Sequence, residues 1–484
     1  MAQCAPDMTR GIKNASGVSC HISSSLQVIY HAIPPKCRED VIILSERLSV
    51  SIGSKASGGI PEGKVFLFEV GNLFQLIGNS AIEKNSSEKN NALSFSRNDG
   101  VDPSTLYEVL APKIDSLRVG DACASLRAIL GLLSQSLEEC INSSASSVLY
   151  CDDEITLLAR SIDDSLNSLF WMGTLNHQII GSRCVEETIE NSVYKYRLMR
   201  SKAAKDRPLP CPVTIPVRGK GNIKASLSSV VASEHPITGY NWESLEQSEY
   251  NEDKSMIKHV EAKLVDGMKN VDLDAKNIND SDSDNSSSSS SKLSNDSYDS
   301  DSSTASSSSS CTSSDSSIDS CERWKTNKVI RCKGLPQVLI LQLNRSEYKE
   351  GRIQLIRDGI RVPFELNLDD CIDSERGATC RSNTYILVGA VVHKDKIDDR
   401  SNDEDEHGHY ISYMKGETNN NDIDAEEIWK KIDDENVTAF IVGNNDSEPR
   451  TNLKIIPRNS LCAMFGGNTK KKYNCATLLM YRLK

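Results

Sequence analysis

Between Asn279 and Ser320 the chain is almost all Ser, Asp and Asn, and Leu293, Tyr298 and Ile318 are its only large apolar residues. Such a run cannot bury enough apolar surface to offset the entropy of ordering it. It cannot belong to a core, so any fold must be assembled from what lies on either side. The two sides carry different periodicities. Up to about Leu175 the pattern is helical. One stripe is Val41, Ile42, Leu44 and Leu48; a second is Leu106, Val109 and Leu110. A third is Leu126, Ile129, Leu130, Leu133 and Leu137, and a fourth is Ile155, Leu158, Ile162, Leu166 and Leu169. Beyond Lys328 the pattern is that of strands. Val338–Leu343 and Tyr385–Val392 are near-continuous apolar runs, as expected of strands buried on both faces. Tyr410–Met414, Val437–Val442 and Ala476–Arg482 read as further strands. The fold class is therefore α+β, a helical layer and a β-rich layer interrupted by a disordered Ser/Asp-rich insertion.

The domain boundaries follow: an N-terminal tail over 1–10, a helical segment over 11–175, a β segment over 176–250, the acidic insertion over 251–325 and a β-rich segment over 326–484. At the start of the third of these and within it, Thr174–Ile180 and Val213–Val217 are strand candidates, and Leu227–Val231 is a short helix or strand.

One cysteine stands out in the helical segment. Cys20 follows the turn and cap residues Asn14, Ser16, Gly17 and Ser19. It precedes Leu26, Ile29, Tyr30 and Ile33, the stripe of an amphipathic helix that Pro34 and Pro35 end. In the first turn of a helix, the dipole and unpaired N–H groups favour thiolate over thiol. The other reading of such a residue is a small core cysteine. A cysteine nucleophile needs a base, and the base an orienting carboxylate or amide. The β-rich segment offers His409 before a strand and Asp433-Asp434 after Trp429 and Ile432.

Composition narrows the chemistry. The 15 cysteines are odd in number and irregularly spaced, and the sequence has no C-x-x-C pair. This points to reduced thiols in the cytoplasm or nucleus and away from a structural zinc site. His407 and His409 could chelate a metal, but no sulfur ligands lie near, so no metal and no cofactor are expected. The net charge of -12 argues against nucleic acid or an anionic membrane as partner. No apolar run reaches the ~20 residues that span a bilayer, and Met1–Asn14 has no apolar signal core.

Several stretches, in order, resemble the ubiquitin-specific protease family of deubiquitinases. Gly17–Gln27, with Cys20 inside it, is similar to the second part of the family's cysteine box. Asp153–Leu158 and Leu169–Leu175 resemble the helix and the L-F-x-G-x-L that follow in the family. Gly334–Arg345 resembles L-P-x-V-L-x-L-x-L-K-R-F. Tyr385, Leu387, Ala390, Val391, His393, Gly408, His409, Tyr410 and Tyr413 match the histidine box. Trp429, Asp433, Asp434 and Val437 match W…D-D-x-x-V, and Ala476, Leu479, Tyr481 and Arg482 match the closing strand.

The resemblance implies a papain-like fold with a helical thumb, β fingers and a β palm. It implies a protease acting after the C-terminal glycine of ubiquitin, with ubiquitin and ubiquitinated proteins as partners. Cys20 is then the nucleophile, His409 the base and Asp433 the orienting acid. Asn14 and Asp434 assist at the oxyanion or behind it, and His393, Gly408 and Tyr410 flank the channel for the ubiquitin tail. The acids Asp398, Asp399 and Asp403–Glu406 would attract that basic tail. The sequence also departs from the family pattern. Asn14 lies six residues before the cysteine where the family has five, His21 replaces the family's Tyr, and Ser346 replaces the Phe of K-R-F. The alternative is a catalytically weak or inactive ubiquitin-binding pseudo-protease, or a scaffold acting through its Ser-rich tract.

Overall fold

The computed structural model describes residues 10–14, 19–54, 62–78, 101–110, 121–143, 152–189, 192–238, 250–255, 324–349, 352–356, 358–372, 383–394, 408–416, 427–443, 453–467 and 474–484. The Ser-rich tract, the acidic residues Asp398–Glu406 and positions 15–18 of the cysteine box lie outside these. The chain forms two compact units. One comprises Met1–Ile179, Ala203–Pro236 and Asn327–Lys484, the other Ile180–Lys202 and Ile237–Thr326. All the candidate site residues belong to the first.

The helical stretches form α1 (Cys20–Ala32), α2 (Pro35–Ser54), α3 (Glu62–Gly78), α4 (Ser104–Leu110), α5 (Ala122–Ser143) and α6 (Asp152–Leu166). A π-helical turn at Asn167–Trp171 continues α6. Pro34 and Pro35 separate α1 from α2, and Pro35 opens the second helix, the one helical position where a missing N–H costs nothing. The Leu227–Val231 ambiguity resolves as helix α7 (Ile223–Val231), capped by Asn222, whose side chain accepts from the Ala225 N–H. A last helix, α8, spans Arg458–Gly466.

The strands are β1 (Thr174–Ile189), β2 (Ser192–Pro208), β3 (Val213–Pro216), β4 (Ser233–Ile237), β5 (Tyr250–Ser255), β6 (Lys325–Gly334), β7 (Val338–Asn344), β8 (Ser346–Lys349), β9 (Arg352–Leu355), β10 (Glu365–Asn367), β11 (Thr384–Lys394), β12 (His409–Lys415), β13 (Glu427–Asp433), β14 (Asn436–Gly443), β15 (Ile455–Pro457) and β16 (Asn474–Leu483). In the first unit the main sheet runs β15-β14-β13-β12-β11-β16-β7-β3, with β10 alongside β11. In the second unit β2 pairs antiparallel with β5, from Arg197 opposite Ser255 to Lys202 opposite Tyr250. There Arg183 and Arg200 lie against the Trp324 ring.

The main sheet is buried on both faces, as its apolar runs require. Along β7, Val338 and Ile340 join the helices' core, while Leu339, Leu341 and Leu343 join a second core on the other face, with α7 and α8. Each such side chain contributes about 1.5–3 kcal/mol on burial. Arg345 ties this sheet together. Its guanidinium donates to the carbonyls of Ala476, Ile356, Asp358 and Gly466.

One expectation needs correction. The spacing of α1 predicts an amphipathic helix, yet all of its residues are buried. The reason is its place between layers: α1 packs on α5 on one side and on β11 and β12 on the other. Several of its polar groups find partners inside, although His21 Nε2, Gln27 Oε1 and His31 Nε2 are buried without one. Ser23 Oγ shares a 2.6 Å hydrogen bond with the Tyr107 hydroxyl, Ser25 Oγ donates to the carbonyls of His21 and Ala122, and Gln27 Nε2 donates to the Arg10 carbonyl.

Candidate active site

Cys20 is the first residue of α1 and only 4% exposed. The sheet brings the other groups to it. His409 opens β12, so its ring stands at the end of the strand that packs against α1. Asp433 closes β13, and a two-residue turn, Asp434-Glu435, leads into β14 with Asp433 opposite Asn436. Asp434 takes a left-handed backbone, φ 53°, which Asp tolerates better than most residues. The result is a direct contact between His409 Nε2 and Asp433 Oδ1 at 2.6 Å, with Asp434 Oδ2 at 3.8 Å from the same nitrogen.

The N-terminal segment reaches the same turn from the helical side. Val101 N–H donates to the Gly11 carbonyl, and the Lys13 N–H to the Val101 carbonyl, as Ile12 bridges Val101. Gly11 lies directly on the turn: a Cβ there would fall 2.1 Å from the Asp434 carbonyl oxygen. This close approach requires glycine. Three residues on, Asn14 Nδ2 donates to Asp434 Oδ2 at 3.3 Å. Its Oδ1 accepts from the Ser19 N–H at 2.9 Å and the Ser19 hydroxyl at 2.8 Å. The six-residue spacing thus still brings Asn14 beside the residue that precedes Cys20.

Gly408, His393 and Tyr410 also meet. His393 on β11 is the register partner of Tyr410, and their rings are 4.8 Å apart. A Cβ on Gly408 would fall 1.8 Å from His393 Nε2, so any larger residue here would have to displace the His393 ring.

The electrostatics follow from these contacts. Burial pushes the Cys20 thiol up. Hydrogen bonds from the His21 and His409 side chains and the Tyr410 backbone, with the charge on His409, overcome it and bring Cys20 down to about 6. His409 rises to about 10, held by Asp433 first and by Cys20 second, against burial and with help from the Asp434 charge. Asp433 sits well below the usual carboxylate range. Its bond to His409 outweighs burial, and Lys431 Nζ adds a contact at 2.8 Å. Asp434 moves the other way, raised by burial and only partly offset by His409 and Asn14. At neutral pH the pair is a thiolate beside an imidazolium. Since Nε2 is taken by Asp433, Nδ1 is the nitrogen left for the sulfur.

His409, Asp433 and Asp434 offer ligand atoms within 4.8 Å of one another. The ring and the Asp433 carboxylate already touch, an arrangement for sharing a proton rather than holding an ion between them.

A profile of the family described as Ubiquitin carboxyl-terminal hydrolase matches residues 10–481. The chain belongs to this family. The match takes in the helices, the sheet and every group assembled above. Ubiquitin carboxyl-terminal hydrolase 15 of Schizosaccharomyces pombe is 28% identical over 162 residues, which is 32% of this chain and 12% of that relative's length. Among solved structures, Ubp8 in the SAGA DUB module bound to monoubiquitin is 16% identical over 100% of this chain and 72% of that one, with a TM-score of 0.48. The same module bound to ubiquitin aldehyde is 14% identical, with the same coverage and a TM-score of 0.47. Membership rests on the sequence match.

Two groups at the site of this ubiquitin carboxyl-terminal hydrolase family member, Tyr107 and Lys431, escape the sequence reading. Tyr107 reads as a core residue of the Leu106–Leu110 stripe, yet its hydroxyl bonds Ser23, and the charges of Cys20 and Asp434 help raise its pKa. Lys431 was legible: two residues before Asp433 on a strand, it shares that residue's face. His21, legible in the sequence only as a departure from the family's Tyr, is buried here.

Proposed function

We propose that this protein is a cysteine-type deubiquitinase that hydrolyses the bond after the C-terminal glycine of ubiquitin in conjugates or precursors. The observation that carries this, in a member of that family, is His409 Nε2 on Asp433 Oδ1 at 2.6 Å, at the end of the strand that packs on the helix beginning with Cys20.

The groups support a complete cycle. The Cys20 thiolate attacks the glycine carbonyl carbon, forming the C–S bond and an oxyanion. N–H groups at the start of α1 and the Asn14 amide stabilise that oxygen. As the intermediate collapses, the C–N bond breaks and His409 passes its proton to the leaving lysine nitrogen. His409, now neutral, takes a proton from water as it attacks the thioester, and the sulfur leaves as thiolate. Asp433 keeps the ring in register throughout and stabilises its charged form. His393, Gly408 and Tyr410 are read as flanking the channel for the ubiquitin tail. The described cysteines outside disulfides, among them Cys20, Cys37 and Cys123, favour a reducing compartment, cytoplasm or nucleus.

The test uses ubiquitin carrying a C-terminal electrophile and a fluorogenic ubiquitin amide. Wild-type protein is expected to form a covalent adduct at Cys20 and to release the fluorophore, and Cys20→Ala to do neither while still binding ubiquitin. A wild-type protein that binds ubiquitin but gives no adduct and no turnover is a pseudo-protease, and the hydrolase reading is then wrong.

A further inference from the structure

A serine just before a helix normally accepts a hydrogen bond from an N–H of the first turn. Ser19 holds that place before α1 and makes no such bond. The N–H groups of Ile22 and Ser23 go to the Ser19 carbonyl instead, each at 3.0 Å. The side chain, buried with its residue at 0% exposure, turns the other way. Its hydroxyl donates to Asn14 Oδ1 at 2.8 Å, and the Ser19 N–H donates to the same oxygen at 2.9 Å. These two bonds allow the amide one orientation. An N–H can only donate, so the amide atom facing it is the oxygen, and Nδ2 points away from Ser19. There Nδ2 donates to Asp434 Oδ2 at 3.3 Å, the oxygen that lies 3.8 Å from His409 Nε2. An amide nitrogen carries two protons, and Asp434 takes one of them.

We infer that Ser19 is a positioning residue for the hydrolysis proposed above. It pins Asn14 Oδ1 with both its hydroxyl and its N–H, so that the second Nδ2 proton is presented to the oxyanion formed at Cys20. The inference rests on the reading of this protein as a hydrolase. An oxyanion donor is effective only when it is in place before the charge develops. With a single bond from the Ser19 N–H, the amide could swing about that contact. The hydroxyl removes this freedom at one end, and Asp434 holds the other.

This role separates two reactions of the same sulfur. Attack on a carbonyl passes through an oxyanion, whereas displacement of iodide from iodoacetamide does not. A residue that acts through the Asn14 amide affects the first and spares the second. One that shapes the helix or the thiolate affects both.

The experiment measures kcat and KM for the fluorogenic ubiquitin amide, and the rate of Cys20 alkylation by iodoacetamide, in the full chain. It compares wild type, Ser19→Ala, Ser19→Thr, Asn14→Ala and the Ser19→Ala/Asn14→Ala double variant, with urea melts to show folding. Ser19→Ala is expected to lower kcat by about five- to tenfold, the worth of one hydrogen bond. Its KM and its alkylation rate stay within about twofold of wild type. Ser19→Thr, which keeps the hydroxyl, restores most of kcat. In the Asn14→Ala background, loss of the hydroxyl changes kcat by less than about twofold, because the group it acts through is gone. Where Ser19→Ala does not fold, Ser19→Gly, well tolerated at a helix start, takes its place with the same expectations. The inference is overturned by an unchanged kcat, by a loss carried in KM, or by a loss matched in alkylation. A folded Ser19→Thr no better than Ser19→Ala overturns it too, as does a full loss that persists without Asn14. An Asn14→Ala protein with wild-type kcat also overturns it, whatever the Ser19 variants do. Wild-type protein without turnover defeats the hydrolase reading and this inference with it; with wild-type turnover present, the results above defeat the inference alone.

Discussion

Removing the Asp433 carboxylate tests the charge arrangement at its strongest contact. Asp433 Oδ1 lies 2.6 Å from His409 Nε2 and is the largest cause of that ring's rise to about 10. A hydrogen bond to a charged partner contributes about 1.5–3 kcal/mol, and each pKa unit corresponds to about 1.4 kcal/mol. Asp433→Ala should therefore lower the His409 pKa by about 1–2 units, the rest of its rise staying with Cys20 and Asp434. The same energy, lost from the transition state in which the ring is charged, lowers kcat/KM by about 10–100-fold. Asp433→Asn keeps an acceptor oxygen for the Nε2–H but no charge. It should lose less rate and move the alkaline limb less. The sign is fixed: the active form needs imidazolium, so a lower His409 pKa pulls the alkaline limb of the profile down, while the acid limb, set by Cys20 beside a ring still charged near pH 6, stays in place. The assay is kcat/KM for a fluorogenic ubiquitin amide from pH 5 to pH 10.5, with urea melts to show that each variant is folded. A folded Asp433→Ala protein with an unmoved alkaline limb and less than threefold loss of rate would refute the reasoning.

Other outcomes follow from single contacts. Gly11→Ala puts a Cβ 2.1 Å from the Asp434 carbonyl; a clash between backbones costs about 1–3 kcal/mol, seen as a lower urea midpoint together with reduced kcat. Asn14→Ala should cut kcat by about 10²–10³ with little change in KM, as loss of one oxyanion donor does. His31 is wholly buried, and burial first, then Lys430, Arg38 and Arg482, hold its pKa well below the free value. The unfolded chain binds that proton below about pH 6.5 and the folded chain does not. Stability is therefore full above that pH and falls as pH drops, by up to about 2 kcal/mol at pH 5. Urea midpoints at pH 7.5 and pH 5 should show a smaller fall in His31→Gln.

Where a residue's partner is close in sequence or its burial is two-sided, the fold was legible. Val338–Leu343 announces a strand with both faces covered, and Pro34-Pro35 announces a break between helices. The pairings that build the site were harder to read. Asp434-Glu435 forms a tight turn without the glycine or asparagine that usually marks one, so β13 and β14 do not read as a hairpin. The stretch Lys64–Ile77 of α3 is so nearly continuous in apolar residues that helical periodicity fades, although Phe66, Leu67, Val70, Leu73, Phe74 and Ile77 are all buried. The serines of α1 look like a solvent face because sequence does not reveal a layer on each side. Cys20, His409 and Asp433 could be nominated by family likeness. Their coming together depends on strand register, which local pattern does not carry.

The order of the main sheet bears on when the sheet is completed. β16 is the last strand along the chain, yet it lies between β11 and β7, and Arg482 reaches from it to the carbonyls of His31 and Ala32 at the end of α1. A chain emerging from the ribosome without this strand leaves β11 and β7 as raw edges and the helix of the sulfur unclasped. Asn474–Leu483 thus closes the middle of the sheet and clasps the end of the helix that begins with Cys20.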